Sequence, residues 1–488
     1  MSVRRMLPWD LRRQYRYGFY AVYAVLTVLF GASLRSLPAG PARETGLVLV
    51  VFSDPSFLGF YFIAALVLFE KREGVLDALV TSPLSTRAYL LSKATTLTLL
   101  ALVATVVIVL LGYGPNLQWL PLLAGVGLTS MLFVFSGFIA VARFDSVNAY
   151  FMTAIAYMTV LGAPVVGVLG IYETPLFYLL PAKPSLVLLE AAIEPTPAWE
   201  LAYAVGYLLV GTGGAYLAAH RAFERHVVAD VDHQGGNRPP LGSDVGTGYG
   251  PVASLAVADM KNWARDPLLI YIGLAPVLIG LVGRFLVPFA DEAMGDLLDL
   301  TPYYPEVLAL FVLMGPALVG FAVGFFVLED RDQGTLTALR LTPLTGRGYL
   351  AYRLATTLLL GFLAALVVAP LADLAPIPPR ALVGIAAVGS LWGATTALLL
   401  AGLADNTVEG IAISKFFGFL VMIPVATVAV VPAPWAHLSG VLPAYWPVLA
   451  LATAAEDGSG TWVALGVGAV YGSGVLAALA RRFLRRAD

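Results

Sequence analysis

Two dense groups of charged residues interrupt this apolar sequence, and both are suited to docking another protein. The first lies in EKREGVLDALVTSPLSTRAYLLSK, beginning at Glu70; the second lies in EDRDQGTLTALRLTPLTGRGYLAYR, beginning at Glu329. Between the glycine and the proline of the first copy, apolar residues recur at i, i+1, i+4 and i+5, which predicts one face of a short helix. A short amphipathic helix present twice is a docking element for a cytoplasmic protein. The alternative is a capped loop whose charges simply lie in water.

The sequence offers little for covalent, metal or nucleic-acid chemistry. It has no cysteine, which excludes thiolate nucleophiles and cysteine metal sites. No lysine follows a glycine, so the chain lacks a P-loop and is expected not to hydrolyse ATP itself. A helical metal site places its histidines at i and i+4, which is not the spacing of His220, His226 and His233. We therefore expect these histidines to lie in a solvated tail that binds no metal. We also expect no catalytic residue in this sequence. The net charge of -2 and the lack of a long basic run indicate no nucleic-acid partner.

The elements that position the charged segments are predicted to be membrane-spanning helices. Of 488 residues, 59% are hydrophobic and 12% are charged, whereas soluble domains carry about 25% charged residues. Apolar stretches that could each cross a hydrocarbon core of about 30 Å recur along the whole length. We predict an all-α polytopic membrane protein with about twelve transmembrane helices. Its predicted parts are a six-helix half over 1–220, a cytoplasmic linker over 221–258 and a second six-helix half over 259–488.

The two halves have the pattern of parallel repeats. A separation of 260 residues relates Gly74 to Gly334 and Pro83 to Pro343. The segment DLRRQYR, which begins at Asp10, also matches DMKNWAR in the second half in residue type, and each predicts an N-terminal interfacial helix. Basic residues collect in the short loops of one side, which predicts that both termini are cytoplasmic.

These charged segments resemble the coupling loops of permease subunits of type-2 ATP-binding-cassette exporters. The stretches QYRYGFYAVYAVLTVLFGASLRSLP and FSDPSFLGFYFIAALVLFEKREGVLDAL are similar, more closely, to permeases for fluoroquinolone-type drug export. The resemblance implies a multi-pass protein of a prokaryotic inner membrane, with one cytoplasmic coupling helix per half. It also implies two partner ATPase subunits, which would bind the ATP and Mg²⁺ while this chain binds no cofactor.

By that resemblance, ten residues would contact the ATPase or shape the contact. They are Glu70, Gly74, Leu79, Pro83, Arg87, Glu329, Gly334, Leu339, Pro343 and Arg347. The second copy carries one more charged residue before its glycine, so either Glu329 or Asp330 could correspond to Glu70.

The function implied by the resemblance is export of a hydrophobic or amphiphilic compound, drug-like or lipid-like. Candidate residues of its pathway are Tyr20, Asp54, Phe57, Phe60, Tyr157, Phe321 and Phe325. Aromatic residues in membrane helices also serve as packing, and a carboxylate followed by a proline can cap a helical turn. An ion-coupled secondary transporter is the alternative function, although such carriers need ion-coordinating groups at mid-membrane. A membrane-embedded lipid enzyme would need a catalytic cluster that this sequence does not display.

Overall fold

The computed structural model divides the chain into two compact units, Met1–Gly242 and Ser243–Asp488. It describes residues 3–16, 19–72, 75, 85–144, 150, 154, 157–225, 267–294, 299–332, 346–456 and 458–487. Within these ranges every regular element is a helix. The boundary between the units falls inside the predicted linker, of which residues 226–258 lie outside the described ranges.

The first unit is built from a run of helices broken once by a π-helical turn. Its helices are α1 (Val3–Arg16), α2 (Phe19–Ser36), α3 (Pro41–Phe57), α4 (Ile63–Arg72), α5 (Thr86–Gly112), α6 (Trp119–Val141), α7 (Val165–Val168), α8 (Ala182–Glu190) and α9 (Ala198–Phe223). The π-helical turn, Leu58–Phe62, connects α3 to α4, so these three segments form one predicted span.

Helix α6 lies at the centre of the first unit, in contact with α3, α4, α5, α8 and α9. It approaches the π-helical turn closely because glycine stands where the two backbones meet. A methyl group on Gly137 would lie 2.7 Å from the carbonyl oxygen of Phe60, closer than packed atoms allow. Any larger side chain at Gly137 would push α6 away from the turn.

The second unit has longer unbroken helices. They are α10 (Pro267–Met294), α11 (Tyr304–Asp332), α12 (Gly346–Ala372), α13 (Pro379–Leu403), α14 (Thr407–Val430), α15 (Ala433–Ala436), α16 (Tyr445–Glu456) and α17 (Thr461–Ala487). Helices α11 and α13 form its core, packing against each other and against α12. They cross where Gly393 meets Pro316, and a methyl group on Gly393 would lie 3.0 Å from the Pro316 carbonyl carbon.

The prediction of an all-α polytopic membrane protein is confirmed. In the described residues nine helices are long and apolar enough to cross a membrane, and Tyr23–Ser36 is a shorter apolar helix. The count of about twelve therefore stays a prediction. One reason is the stretch 148–170, which the sequence predicts as the fifth span and which is only partly described. Its helix leaves regular geometry at Gly162 and re-forms only as the single turn α7.

Each unit also contains one short helix ahead of its last long one. Helix α8 has nine residues and α16 has twelve, and both contain mostly buried side chains. At 1.5 Å per residue neither helix reaches across about 30 Å of hydrocarbon. Helix α8 begins inside the proline-containing segment LPAKP, residues 180–184, and packs against α6 and α9. Helix α16 begins inside the similar segment LPAYWP, residues 442–447, and packs against α13 and α17.

Candidate functional site

Four charged side chains meet where α1, α4 and α5 come together, and we call them the charged cluster: Asp10, Arg13, Glu70 and Lys93. Lys93 Nζ lies 2.5 Å from Glu70 Oε1 and 2.8 Å from Asp10 Oδ1. Arg13 approaches the same Glu70 oxygen at 3.4 Å. Two carboxylates therefore face two cations, and the cluster has no net charge.

Neutral neighbours satisfy the remaining oxygens of the charged cluster. The hydroxyl of Tyr89 donates to Glu70 Oε2 at 2.6 Å, and the hydroxyl of Ser92 donates to Asp10 Oδ2 at 2.5 Å. Asp10, Glu70 and Lys93 are all nearly fully buried. Buried charges persist only when paired and hydrogen-bonded, as these are. The geometry thus fixes the middle of α1, the end of α4 and the first turns of α5 relative to one another.

The position of the charged cluster relates it to the first predicted docking loop. Glu70 lies in the last turn of α4, which leads into the loop, and Lys93 lies in the second turn of α5, which follows it. The intervening stretch from 73 to 84 lies outside the described residues apart from Val75. The cluster therefore joins the two helices that flank this loop and attaches both to α1.

The second unit has a matching contact at the same separation along the sequence. Tyr349 donates to Asp330 Oδ2 at 2.5 Å, and an Arg353 guanidinium nitrogen lies 3.3 Å from that oxygen. A separation of 260 residues relates Tyr349 to Tyr89, Asp330 to Glu70, and Arg353 to Lys93. Asp330 thus makes contacts that correspond to those of Glu70.

The two residues after Asp330 hydrogen-bond to the end of α13 and the start of α14. Arg331 donates to the carbonyl oxygens of Ala401 and Ala404, each at 2.9 Å, at the end of α13. Asp332 Oδ2 accepts from the backbone nitrogen and the hydroxyl of Thr407, at 3.0 and 2.6 Å, where α14 begins. These side chains act on helix termini whose backbone groups lack partners within the helix.

Four of the ten predicted docking residues lie in the described residues. Glu70 belongs to the charged cluster. Arg87 is the second residue of α5, and its Nε lies 3.4 Å from His220 Nε2. Glu329 lies in the last two turns of α11 and is half-buried, whereas Arg347 is exposed at the start of α12. The other six, which lie outside the described residues, are Gly74, Leu79, Pro83, Gly334, Leu339 and Pro343.

Three of the predicted pathway residues pack against neighbours within their own unit. Phe60 is 1% exposed and packs edge-on against Tyr61 inside the first unit. Phe325 is buried, and Phe321 packs against Phe417 with ring centroids 5.2 Å apart. Their pathway role stays a prediction.

Of the remaining pathway candidates, two are described as side chains. Tyr157 is 46% exposed, and Tyr20 donates to Gln14 Oε1 at 3.0 Å beside α1. The side chains of Asp54 and Phe57 lie outside the described part of the structure.

Family comparisons match the two halves of the chain separately. Residues 2–231 match the fluoroquinolones export permease protein family, and residues 259–480 match a family described as fluoroquinolones export permease protein Rv2686c-like. No solved structure shows a significant match.

Curated relatives include two permeases of Mycobacterium tuberculosis that are about half the size of this chain. Fluoroquinolones export permease protein Rv2687c is 32% identical over 225 residues, which are 46% of this chain and 94% of that protein. Fluoroquinolones export permease protein Rv2686c is 33% identical over 238 residues, which are 48% of this chain and 93% of that protein.

Proposed function

This chain belongs to the fluoroquinolone export permease family, and on that premise we propose that it is the membrane subunit of an ATP-binding-cassette drug exporter. The observation that carries the proposal is the pair of ionic contacts, Glu70–Lys93, which is buried, and Asp330–Arg353, which is partly buried; each joins the helices that flank one charged loop. A loop that receives force from a motor protein needs firm attachment to the helices that move. These contacts would supply that attachment in each half.

The proposal includes two docking sites on one polypeptide. Each half separately matches a permease family, and the curated relatives are about as long as one half. We therefore propose that the halves are internal repeats and that each presents one cytoplasmic coupling helix to one ATPase subunit. Closure of the two ATPase subunits around ATP would then rock the halves as rigid bodies between inward-open and outward-open states.

The same proposal assigns the substrate class. The relatives are named for fluoroquinolone export, and the long described helices of this chain carry few charges. We propose a drug-like amphiphilic substrate that moves out of the cell along an aromatic path. An ion-coupled carrier would instead need titratable groups at mid-membrane, and Asp54 is the one carboxylate that the sequence places well inside a span of the first half.

Transport in proteoliposomes tests this function. The chain is purified from its native membranes together with any bound ATPase, reconstituted, and assayed for fluoroquinolone movement with ATP, with a non-hydrolysable analogue, or with an imposed proton or sodium gradient. We expect movement with ATP alone. Movement driven by an ion gradient in the absence of ATP would overturn the proposal and favour the ion-coupled carrier.

Substitution within the loops tests the coupling role. Replacing both Gly74 and Gly334 by leucine should uncouple ATP turnover from transport while the helical bundle keeps its stability, because the charged cluster lies outside the loops. Gly127, around which the structure leaves open space, gives a matched control when it is replaced by leucine. Intact coupling in the double variant would exclude the two loops as coupling elements.

A further inference from the structure

A groove of about 610 Å³ lies between α1 and the start of α2, lined by Leu11, Arg12, Tyr15 and Tyr20. Among the described residues that line it, the surface is almost entirely apolar and the guanidinium of Arg12 is the one charged group. We propose that this groove binds an anionic phospholipid, with the phosphate at Arg12 and the upper acyl chain along the apolar lining.

The two neighbouring arginines of α1 have different surroundings. Arg13 points inward and approaches Glu70 at 3.4 Å. Arg12 is exposed, and within the described residues it makes no hydrogen bond or ion pair. A guanidinium on the surface of a membrane protein favours phosphate oxygens, which it can bind through two parallel hydrogen bonds. Arg12 is thus available to bind a ligand, whereas Arg13 belongs to the charged cluster.

The outward face of α1 fits the boundary between headgroups and acyl chains. Trp9 is 59% exposed and Tyr15 is 74% exposed. Tryptophan and tyrosine concentrate at that boundary, and helices with such a face lie in the plane of the interface. Exposure of two large aromatic side chains beside a cation indicates a lipid surface as the partner of this groove.

The lining of the groove favours an anionic lipid over a zwitterionic one. Phosphatidylcholine carries a cation next to its phosphate, and a site for it would need an acceptor near Arg12. No carboxylate is found among the described residues that line the groove, and the nearby Asp10 is buried and paired with Lys93 at 2.8 Å. A lipid whose headgroup carries a net negative charge therefore fits better.

Hydrogen bonds of Gln14 also pre-form the groove in the absence of lipid. On the buried side of α1, Gln14 donates to Thr96 Oγ1 at 3.0 Å and accepts from the Tyr20 hydroxyl at 3.0 Å. These bonds fix α1 against α5 and fix Tyr20 as one wall. A pre-formed site loses less conformational entropy on binding than one that must assemble.

Lipid titration followed by native mass spectrometry tests the proposal on the purified full chain. The delipidated protein is titrated with phosphatidylglycerol or phosphatidylcholine, and the occupancy of the first bound lipid is measured. We expect Arg12→Gln to weaken phosphatidylglycerol binding about fivefold, the effect typical of one basic residue at a membrane surface. Arg12→Lys should retain most of the binding, and soluble glycerol phosphate should not compete.

Arg482→Gln provides the matched control, because Arg482 is an exposed arginine near the end of the last helix. It should leave the first binding event unchanged. Unchanged binding in Arg12→Gln, an equal loss in the two variants, or equal binding of the two lipids would overturn the proposal. Competition by glycerol phosphate would instead show a site for a free phosphate and would also overturn it.

Discussion

Replacing Lys93 with methionine tests whether the charged cluster holds three helices together. The contacts of Lys93 with Glu70 and Asp10, at 2.5 and 2.8 Å, involve side chains that are 2%, 1% and 3% exposed, respectively. Methionine keeps most of the volume but leaves two carboxylates facing Arg13 as the one cation of the described cluster. Removing one partner of a buried ion pair costs about 3–5 kcal/mol. We expect a loss of that size in the free energy of unfolding of the first unit.

A second substitution separates charge balance from packing. Adding Glu70→Gln to Lys93→Met removes one cation and one carboxylate together, so the cluster becomes neutral again. Tyr89 can still donate to the amide oxygen that replaces the carboxylate. Contacting residues show interaction energies of about 0.5–3 kcal/mol, and we expect the double variant to regain stability within that range.

The matched control is Arg353→Met in the second unit. Its ion pair with Asp330 is longer, at 3.3 Å, and the side chains are 14% and 23% exposed. Water screens such a pair, so we expect a cost of about 1 kcal/mol.

The assay follows unfolding of the full chain as the fraction of sodium dodecyl sulfate in mixed micelles increases. Hydrogen exchange of the α1 amides reports on the first unit separately. A loss for Lys93→Met no greater than that for Arg353→Met, or strictly additive losses in the double variant, would refute this account of the cluster.

Other contacts give further predictions. Gly393→Ala should lower the free energy of unfolding by about 1–3 kcal/mol, because the added methyl group overpacks the crossing of α11 and α13. As a control in the same unfolding assay, Gly466→Ala, in open space on α17, should be neutral or stabilising. Asn406→Ala should cost about 1 kcal/mol and speed hydrogen exchange in the first turn of α14, because the Asn406 side chain accepts from a backbone nitrogen at 2.9 Å as its N-cap; unchanged exchange there would contradict this. Tyr89→Phe should lower the free energy of unfolding by about 1.5–3 kcal/mol, because it removes a hydrogen bond to the Glu70 carboxylate. Tyr150→Phe removes a hydrogen bond to the neutral carbonyl of Phe60 and should cost only about 0.5–1.5 kcal/mol. Equal unfolding midpoints for the two variants would refute this ranking.

The helical architecture was predictable because hydropathy alone defines most of it. A run of apolar residues long enough to cross a bilayer gives the location of a helix with little help from tertiary contacts. The breaks in those helices were not predictable in this way. The π-helical turn at Leu58–Phe62 lies where α6 approaches closely through Gly137, which is a contact between segments far apart in sequence.

The candidate site was predictable only in part. The sequence shows where charges cluster, but it does not show which of them are buried or paired. Lys93 has the pattern of an ordinary basic residue near a membrane surface, yet it is 1% exposed and joins α1 to α5. One sequence signal was available. The separation of 260 residues also relates Tyr89 to Tyr349 and Lys93 to Arg353, which predicts that Asp330 is the partner acid.

Co-purification from native membranes tests the central claim most directly. The tagged chain is isolated as the wild type, as Leu79→Ala/Leu339→Ala, and as the control Leu120→Ala/Leu438→Ala, whose leucines are 82% and 70% exposed. Bound proteins are then identified and ATP hydrolysis is measured. We predict that a nucleotide-binding ATPase accompanies the wild type and the control and is lost from Leu79→Ala/Leu339→Ala. No ATPase with any of the three, or equal retention by all three, would contradict the assignment of these loops as docking sites for an ATPase.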